Sequence, residues 1–379
     1  LAAEFARLGL QPYPGATGFA QNFDAWRAQP LSVQATIAGT PVAPDHVLVI
    51  PGQEQLTWPA VAPDAPRIVV VGPSDDPWKA FWSLRKPTQN VLLLLDTTHR
   101  KVLREMARVA AHYGLRAARP TFSTVVVATP APVATTAYTI SATARIEAVP
   151  LTNVVGYLPG ADPARTHETV VFSAHYDHLG FLPAVNGDSI ANGADDDASG
   201  TTAVVALAEY YRAQPAPARP LVFVAFAAEE IGGFGSQYFS RQLDPDHLVA
   251  MFNIEMIGKE AAAGPASAYI TGYRKSTFGK LLNKQLKGTR ARFVPDPYPK
   301  QQLFYRSDNA TLARLGVPAH TISTARMPDD KLYHSVDDEV ASLNLPNLTA
   351  VVQSIARSAS GIVSGQQTPS RVKDAGERK

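Results

Sequence analysis

Cysteine is absent from the 379 residues of this chain. Its absence excludes disulfide bonds, thiolate metal sites and cysteine nucleophiles, so any bound metal ion must be held by His, Asp or Glu. Long apolar runs are missing too, since no window approaches the roughly 18 uninterrupted apolar residues that a membrane span needs. We therefore expect no membrane span. Absence of cysteine is compatible with an exported protein, and we expect a periplasmic or secreted location.

Strong charge of either sign is also missing. Lysine and arginine exceed aspartate and glutamate by a formal charge of only +2, and both signs are scattered along the chain. A nucleic-acid-binding stripe and a polybasic membrane patch both need clustered positive charge. We therefore expect neither nucleic acid nor a membrane surface as a partner. A hydrophobic content of 45% is enough to bury a large core, which indicates a globular protein.

Short apolar runs and helical patterns alternate in the second half of the chain. The helical patterns include residues 201–212 and 277–286, and the apolar runs lie at 169–174, 221–227, 251–254 and 319–323. Runs without polar alternation are typical of strands that are buried on both faces of a mostly parallel sheet. The sequence therefore predicts an α/β fold, with a mostly parallel, open mixed sheet flanked by helices.

Three consecutive carboxylates, Asp195, Asp196 and Asp197, lie between small residues in the segment 192–200. Asp and Ser also favour helix starts, but a helix cap needs one carboxylate and this loop offers three. A carboxylate has two oxygens and can bridge two cations about 3.5–4 Å apart, as in two-metal hydrolases. We predict a cation site here, with Asp195 as the bridging ligand.

Further candidate ligands follow the apolar runs. His175 comes directly after 169–174 and should lie at the carboxyl end of a strand, where open α/β sheets bind ligands. Asp177 could accept the second ring N–H of His175 and fix its tautomer. Glu229 and Glu230 end another run, and adjacent strand residues point to opposite sides. One of the two glutamates can then bind metal while the other takes a proton from a water molecule.

Glu255 and His334 complete the candidate set. Glu255 is surrounded by apolar residues, where a buried charge is costly without a partner. His334 lies in a polar loop and would be an ordinary surface histidine without the other candidates. Two imidazoles and three carboxylates suit zinc, although Mn²⁺ or Co²⁺ also accept these ligand types. Two divalent cations would cancel the four negative charges of the carboxylate ligands and Glu229.

Four blocks of this sequence resemble the M28 family of co-catalytic zinc metallopeptidases, and they follow the family's order over about 160 residues. The blocks are His175-Tyr176-Asp177, Gly187-Asp188-Ser189 followed by 192–200, Phe226-Ala227-Ala228-Glu229-Glu230-Ile231-Gly232, and Tyr333-His334-Ser335. The resemblance implies a zinc-exopeptidase-like fold with two Zn²⁺ ions per chain. It also implies an aminopeptidase that removes N-terminal residues from peptides through a metal-bound hydroxide.

The resemblance also assigns the metal ligands. It implies that His175 and Glu255 hold one zinc ion, that Glu230 and His334 hold the other, and that Asp195 bridges both. The main departure is Glu255, because family members most often carry Asp at this place. Glu keeps the carboxylate but lengthens the side chain by one methylene group, and we still expect it to bind metal.

Two catalytic groups follow from the same resemblance. Glu229 is expected to be the general base, and Tyr333 is expected to donate a hydrogen bond to the substrate carbonyl. Asp308 would either support the site or bind the substrate amine, with a structural role in its loop as the alternative. Candidates for the apolar wall of the first substrate pocket are Ile257, Tyr298, Phe304 and Tyr305.

Similar peptidases often carry an inserted module ahead of the catalytic strands, and residues 31–136 occupy that place. This segment contains apolar strands at 46–50, 67–71 and 90–95 and a helical pattern at 100–113. We predict a metallopeptidase catalytic domain at 1–30 and 137–364, a smaller inserted α/β module at 31–136 and a flexible tail at 365–379. The alternative is that the strands of 31–136 form the edge of the catalytic sheet.

Three other functions stay open at this point. A glutaminyl-cyclase-like transferase would use one zinc ion, and the full ligand set argues against it. A carboxypeptidase acting on acidic peptides would need arginine near the site, for which Arg274, Arg306 and Arg326 are available. A receptor-type ectodomain would be expected to have lost metal ligands, and none is missing here. The sequence leaves the oligomeric state undetermined.

Overall fold

The computed structural model describes residues 1–59, 65–84, 87–112, 114–327 and 329–373. The chain divides into a larger unit, Leu1–Phe23 with Leu151–Lys379, and a smaller unit, Asp24–Pro150. The smaller unit therefore extends beyond the predicted 31–136 at both ends. The boundaries were hard to predict because the chain passes between the units within two long strands, Ala20–Ile37 and Tyr138–Leu158, and not within loops.

The regular elements are numbered in chain order. The strands of the described residues are β1 (Gln11–Pro12), β2 (Ala20–Ile37), β3 (Thr40–Val42), β4 (Val47–Ile50), β5 (Gln55–Trp58), β6 (Arg67–Val71), β7 (Val91–Asp96), β8 (Leu115–Arg116), β9 (Thr124–Thr129), β10 (Tyr138–Leu158), β11 (Thr169–His175), β12 (Gly180–Val185), β13 (Asp188–Ala191), β14 (Leu221–Phe226), β15 (Leu248–Ile254), β16 (Ala268–Ile270), β17 (Phe293–Pro295) and β18 (Ala319–Ser323). The α-helices are α1 (Ala2–Arg7), α2 (Pro77–Ser83), α3 (Arg100–His112), α4 (Gly200–Ala213), α5 (Phe234–Arg241), α6 (Phe278–Gln285), α7 (Asn309–Ala313) and α8 (Leu345–Val363). Among the residues described, no helix has both the length and the hydropathy to cross a bilayer.

The larger unit is built on a mixed sheet with the strand order β17-β16-β18-β15-β11-β14-β10. Its centre is parallel, because β11 pairs in parallel with β14 and β15, and β15 pairs in parallel with β18. The flanking pairs β10-β14 and β16-β18 are antiparallel. These central strands coincide with the four predicted apolar runs, and helices α4 and α6 coincide with the predicted helical patterns. The predicted α/β fold class is confirmed.

Helices cover both faces of this sheet, which explains why its strands lack polar alternation. Phe172 and its alternate neighbours along β11 pack into a core with α4, α6 and α8. Val171, which points to the opposite face, packs into a second core with Phe239 of α5 and Leu312 of α7. Successive strand residues therefore enter two different cores, and both must be apolar.

The smaller unit has its own four-stranded sheet with the order β4-β9-β7-β6. Strands β6, β7 and β9 are parallel, while β4 pairs with β9 in the antiparallel direction. Leu103 and Met106 of α3 are buried against this sheet. The predicted strands and helix are present within one or two residues, although Tyr113 at the predicted helix end lies outside the described residues. β4, β6 and β7 thus belong to a separate sheet, whereas β3, β5 and β8, which also lie within 31–136, belong to the twelve-stranded sheet that contains β10.

The predicted flexible tail needs correction over 366–373. Val372 is buried and its N–H donates to the Gly316 carbonyl, and Ser370 exchanges hydrogen bonds with Thr277. The buried Arg219 guanidinium also donates to the Gln367 carbonyl at 2.6 Å. A polar, aperiodic sequence gave no sign of this packing, because the contacts are made mainly by backbone groups. Residues 374–379 lie outside the described residues.

Candidate metal centre

The predicted site residues meet at the carboxyl ends of three neighbouring parallel strands. His175 is the last residue of β11, Glu255 directly follows β15, and Glu229 and Glu230 follow β14 after two alanines. Because β11 lies between β14 and β15, these side chains share one edge of the sheet. Open α/β sheets place their ligand sites at this edge.

The carboxylate of Asp196 lies at the centre of the group. Its Oδ1 is 3.1 Å from Nε2 of His175, and its Oδ2 is 3.3 Å from Nε2 of His334. The same nitrogen of His334 lies 3.2 Å from Oε2 of Glu230. The two oxygens of Asp196 therefore face two different imidazoles, His175 on one side and His334 on the other.

Two sets of possible ligand atoms share Asp196. One set consists of His175, Asp196 and Glu255, and the other consists of His178, Asp196 and Glu230, with the atoms of each set within 4.8 Å of one another. A carboxylate that belongs to two such sets has the arrangement of a ligand that bridges two cations. The longer side chain of Glu255 does not remove it from the centre.

Asp195, the predicted bridging residue, lies outside both sets. Its Oδ1 accepts a hydrogen bond from the Gly258 N–H at 2.7 Å, and its Oδ2 lies 3.3 Å from Nζ of Lys259. Asp197 accepts hydrogen bonds from two backbone N–H groups. The structure corrects the prediction by one residue, because Asp196 occupies the central place and Asp195 fastens its loop to residues 258–259.

The backbone bends sharply where it delivers the site residues. Ala228, Met256 and His334 have left-handed φ angles of 63°, 52° and 57°. Such conformations cost of order 1–3 kcal/mol at a non-glycine residue and persist where the surrounding structure holds them. Position 200 requires glycine, because the backbone of Ile254 passes so close that a Cβ at residue 200 would overlap its carbonyl oxygen. Tight backbone packing therefore positions the loop that carries Asp196.

His175 has a fixed orientation. Its Nδ1 lies 3.0 Å from the backbone carbonyl oxygen of Asp177, while the Asp177 carboxylate is 3.8 Å away. A carbonyl can only accept, so Nδ1 carries the proton of this contact and Nε2 faces the centre. The Asp177 carboxylate instead accepts a hydrogen bond from the Glu229 N–H at 3.1 Å. The predicted support from Asp177 thus comes from its main chain.

The pKa values of the ionisable side chains in the centre are strongly shifted. Burial raises the pKa of Glu229 well above its usual value and raises the pKa of Glu255 to about 7. Burial also acts on Asp196, but contacts with His175 and His334 outweigh it and hold the Asp196 pKa below its usual value. Contacts with Asp196 and Glu230 raise the pKa of His334 to about 9. Bound cations would favour the ionised form of all these carboxylates.

Several buried atoms of the centre have no hydrogen-bond partner among the described residues. They include Nε2 of His175, Oε1 of Glu230 and Oε2 of Glu255. A buried polar atom without a partner costs roughly 1–3 kcal/mol, so native structures rarely contain such clusters. Imidazole nitrogens and carboxylate oxygens are the ligands that Zn²⁺ accepts. The donor set therefore fits divalent cations.

His178 is a member of this centre that the sequence analysis missed. Its side chain is 7% exposed, and its Nδ1 lies 2.8 Å from Oε1 of Glu230. The available signal was its spacing, since His178 follows His175 by three residues in the loop directly after β11. A loop does not fix side-chain direction as a helix or strand does, so spacing alone gave little reason to select it.

An open cavity of about 570 Å³ adjoins the centre. The carboxylates of Asp196, Glu229, Glu230 and Glu255 line it together with the side chain of Tyr333. Burial raises the pKa of Tyr333 above its usual value, so its hydroxyl stays protonated at neutral pH and can donate a hydrogen bond.

The apolar wall of the cavity differs from the prediction. Met256, Tyr269, Leu303 and Met327 line it, and none of the four predicted pocket residues does. Two of those predicted residues, Ile257 and Phe304, are buried in the hydrophobic cores. After the sharp turn that follows Glu255, Met256 lines the cavity and Ile257 does not.

Two other predicted polar residues have clear positions. Asp308 is 2% exposed, and burial raises its pKa to about 6. It is not part of the cavity wall, whereas Arg306 is the one of the three candidate arginines that lines it. Asp308 is therefore buried outside the cavity wall, whereas Arg306 is part of it.

A mixed α/β sheet with imidazoles and carboxylates gathered at its carboxyl edge defines an α/β protein with a candidate two-cation site. Its sequence settles the family, because the model of peptidase family M28 matches residues 153–359. The chain belongs to peptidase family M28, which confirms the resemblance seen in its motifs.

Curated relatives carry names that agree with this family. The chain is 29% identical over 201 residues to leucine aminopeptidase 1 of Ajellomyces capsulatus (strain H88), a match that covers 49% of this chain and 50% of that protein. It is 27% identical over 197 residues to leucine aminopeptidase 1 of Aspergillus fumigatus (strain CBS 144.89 / FGSC A1163 / CEA10), again over 49% and 50% of the two chains. This chain thus spans about half the length of the curated relatives it matches.

Two solved structures share the fold. A zinc aminopeptidase from Bacillus subtilis aligns with a TM-score of 0.55 and 15% identity, over 97% of this chain and 88% of that chain. An aminopeptidase from Aneurinibacillus sp. strain AM-1 aligns with a TM-score of 0.51 and 19% identity, over 96% and 86% of the two chains. At these identities the likeness concerns the fold alone.

Proposed function

We propose that this protein is a zinc-dependent aminopeptidase with two metal ions per chain. The observation that carries the proposal is the position of Asp196, whose carboxylate belongs to two sets of candidate ligands beside the buried Glu229. Family M28 membership and the zinc aminopeptidase and leucine aminopeptidase names of similar proteins support the choice of reaction and metal. The predicted ligand set is kept, with Asp196 in place of Asp195.

The negative charges of the carboxylates in the centre would be balanced by two divalent ions. Asp196, Glu230 and Glu255 bring three negative charges to the centre, and Glu229 adds a fourth. Divalent ions held there would polarise a peptide carbonyl and lower the pKa of the attacking water. Zinc suits this mixture of imidazole and carboxylate, while Mn²⁺ or Co²⁺ also fit the ligand types.

Glu229 is the group that we assign as general base. Glu229 lines the cavity. Its backbone N–H donates to the Asp177 carboxylate, and this hydrogen bond fixes the main chain from which the side chain extends. Ionised beside the cations, its carboxylate would take the proton of the attacking water. It would then deliver that proton to the leaving amine. No other carboxylate in the cavity wall lies outside the two ligand sets.

Tyr333 is assigned to the substrate carbonyl. Its ring stacks on His334 with centroids 3.8 Å apart, which holds the phenol next to the metal centre. A protonated phenol can donate a hydrogen bond to the carbonyl oxygen as negative charge develops there. This contact would be stronger in the transition state than in the bound substrate, and it would therefore raise kcat.

A carboxypeptidase is the second candidate, and Arg306 is the observation that favours it. Arg306 lines the cavity, and its guanidinium could pair with the terminal carboxylate of a peptide. A glutaminyl-cyclase-like transferase with one zinc ion is less compatible with two ligand sets that share a carboxylate. The aminopeptidase is preferred because the two curated relatives and the two solved structures described above carry aminopeptidase names.

The test combines metal analysis with a substrate panel. The full chain is loaded with Zn²⁺, freed of excess metal and analysed for zinc per chain, and hydrolysis of aminoacyl amides is measured with free and with acetylated amines. An aminopeptidase with two ions gives two zinc per chain and loses its activity on acetylation. Activity that is indifferent to acetylation supports the carboxypeptidase. One zinc per chain with cyclisation of N-terminal Gln peptides supports the transferase.

Export stays a prediction of the sequence. Fractionation of the source cells, with immunodetection of this chain in the periplasm and medium, checks it.

A further inference from the structure

We propose that His178 is a direct ligand of the cation position on the Glu230 side of the centre. This position would then have four protein ligands, namely His178, His334, Glu230 and the shared Asp196, whereas the other side would have three. The inference rests on the two-cation centre proposed above. It adds a third imidazole to the two that the sequence motifs contain.

The first observation is an unusual contact between His178 and Glu230. Nδ1 of His178 lies 2.8 Å from Oε1 of Glu230 and 3.9 Å from Oδ2 of Asp196. Despite the short distance, neither the His178 nitrogen nor the Glu230 oxygen has a hydrogen-bond partner among the described residues. The two buried atoms thus face each other closely without the geometry of a regular hydrogen bond, and this placement suits two ligands of one ion.

The second observation is that the backbone leaves a place for this imidazole. Gly193, in the loop before Asp196, has a φ of 65°, and a Cβ at this residue would lie 2.6 Å from Cγ of His178. Any larger residue would therefore displace the ring. The side chain of His178 is 7% exposed, so water does not solvate the ring in place of a metal ion.

The third observation concerns the opposite side of the same position. His334 Nε2 lies 3.2 Å from Oε2 of Glu230, so the two oxygens of this carboxylate face two different imidazoles. The rings of His178 and His334 are steeply inclined, with centroids 5.8 Å apart. Both nitrogens can therefore approach one ion together with Glu230.

The two cation positions should therefore differ in their affinity for zinc. A zinc position with four protein ligands is closed, whereas one with three keeps a coordination position free of protein atoms. The first equivalent of Zn²⁺ should enter the closed position, beside Glu230. The second ion, held by His175, Glu255 and Asp196, should bind more weakly and exchange faster.

The experiment measures binding of Zn²⁺ in two steps by chelator competition in the full chain. In the wild type we expect a tight and a weak step. His178→Ala should weaken the tight step by more than about 100-fold, the upper limit for loss of a hydrogen-bonding partner outside the ligand set. His178→Gln should behave like His178→Ala, because an amide can hydrogen-bond Glu230 but is a poor zinc ligand. His247→Gln, which changes an exposed imidazole elsewhere, is the matched control.

X-ray absorption at the zinc edge gives a second, direct readout. Protein loaded with one equivalent of Zn²⁺ should show two imidazoles per zinc, falling to one in His178→Gln. One imidazole per zinc in the half-loaded wild type, or rescue of the tight step by His178→Gln, overturns the inference while two bound ions keep the proposed centre intact. A wild type that binds no Zn²⁺ overturns both. Loss of aminopeptidase activity alone affects neither readout.

Discussion

The carboxylate of Asp338 holds the backbone of Asp196. Its Oδ2 accepts a hydrogen bond from the Asp196 N–H at 3.0 Å, and its Oδ1 accepts one from the Asp195 N–H at 3.0 Å. Asp338 is 1% exposed and follows His334 by four residues in the same loop. The loop that carries His334 therefore also positions the central carboxylate, and one side chain joins two parts of the centre.

Replacing Asp338 by alanine should weaken zinc binding. The change removes two acceptors, leaves the Asp195 and Asp196 N–H groups without partners and frees the loop to move. Loss of a partner behind a metal ligand costs about 10–100-fold in affinity. Chelator competition measures the loss, and Asp337→Ala serves as the control, since Asp337 is an exposed neighbour. Equal zinc affinity in Asp338→Ala and the control would contradict this role.

Asp195 and Asp196 should respond differently to substitution. Asp196→Ala should lose both zinc ions, because its carboxylate belongs to both ligand sets. Asp195→Ala should keep two ions but lower the free energy of unfolding by about 1–3 kcal/mol, since it leaves the Gly258 N–H without its acceptor and removes one of the two carboxylates beside Lys259. Zinc analysis and denaturant titration give both numbers. The opposite pattern would restore the assignment made from the sequence.

Most of the sheet could be predicted from sequence because its central strands are buried on both faces. The runs ending at Ala174, Ala227 and Ile254 showed no alternation of polar and apolar residues, and the structure places strands there. The limits of the smaller unit could not be predicted, because the chain crosses them within β2 and β10. Strand patterns do not report where one compact unit ends and another begins.

The metal centre could be predicted by residue type but not by every position. Three adjacent aspartates have the same chemistry, and the loop conformation alone decides that Asp196 points to the centre while Asp195 points to Gly258. His178 was missed for a related reason, because its direction depends on a loop and on the space left by Gly193. Local sequence does not encode either of these tertiary constraints.

Glu229→Gln should reduce turnover without removing the metal. The amide keeps the size of the side chain but cannot take a proton, and loss of a general base typically lowers the rate about 10²–10⁴-fold. The backbone contact with Asp177 and the two ligand sets remain in place. kcat on an aminoacyl amide and zinc per chain are the two measurements. Full activity with two zinc ions would remove Glu229 from the proposed mechanism.

Tyr333→Phe should lower kcat more than it raises KM. The change removes the hydroxyl that we assign to the developing negative charge but keeps the ring that stacks on His334. Loss of one such donor costs about 10²–10³-fold in kcat. Steady-state kinetics on an aminoacyl amide separate the two parameters. A change confined to KM would show that Tyr333 binds the ground state and the transition state equally.

Arg219→Ala should destabilise the larger unit and release the segment 366–373. The Arg219 side chain is 1% exposed and donates to the carbonyls of Ile362 and Gln367, to the Thr368 hydroxyl and to the Glu168 carboxylate. Removing a buried partner of this kind costs about 3–5 kcal/mol. Denaturant titration measures the loss, and limited proteolysis should detect cleavage after Lys373.

The control for this change is Arg165→Ala. Arg165 also pairs with Glu168, at 2.7 Å, but its side chain is 31% exposed. Exposed ion pairs contribute only about 0–1 kcal/mol, so this variant should stay close to the wild type. Equal losses in the two arginine variants would mean that the Glu168 pair, and not the backbone contacts of Arg219, determines the stability.

Acid should destabilise the larger unit through His320. This residue of β18 is fully buried, donates from Nδ1 to the Thr271 carbonyl and stacks on Phe278, and burial lowers its pKa to about 4. Its unfolded pKa is about 6.5, so the unfolded state binds the proton more readily. Stability is therefore complete above pH 6.5 and falls by about 3 kcal/mol as the pH drops through 4, at 1.36 kcal/mol per pKa unit.

Denaturant titration of metal-free protein at pH 7 and pH 4.5 measures this loss. His320→Gln should lower the free energy of unfolding at both pH values but reduce the difference between them, because the variant lacks the titrating ring. His247→Gln, at a half-exposed position, should keep the wild-type difference. If His320→Gln also kept it, the acid sensitivity would come from the carboxylates, and the buried imidazole would contribute nothing.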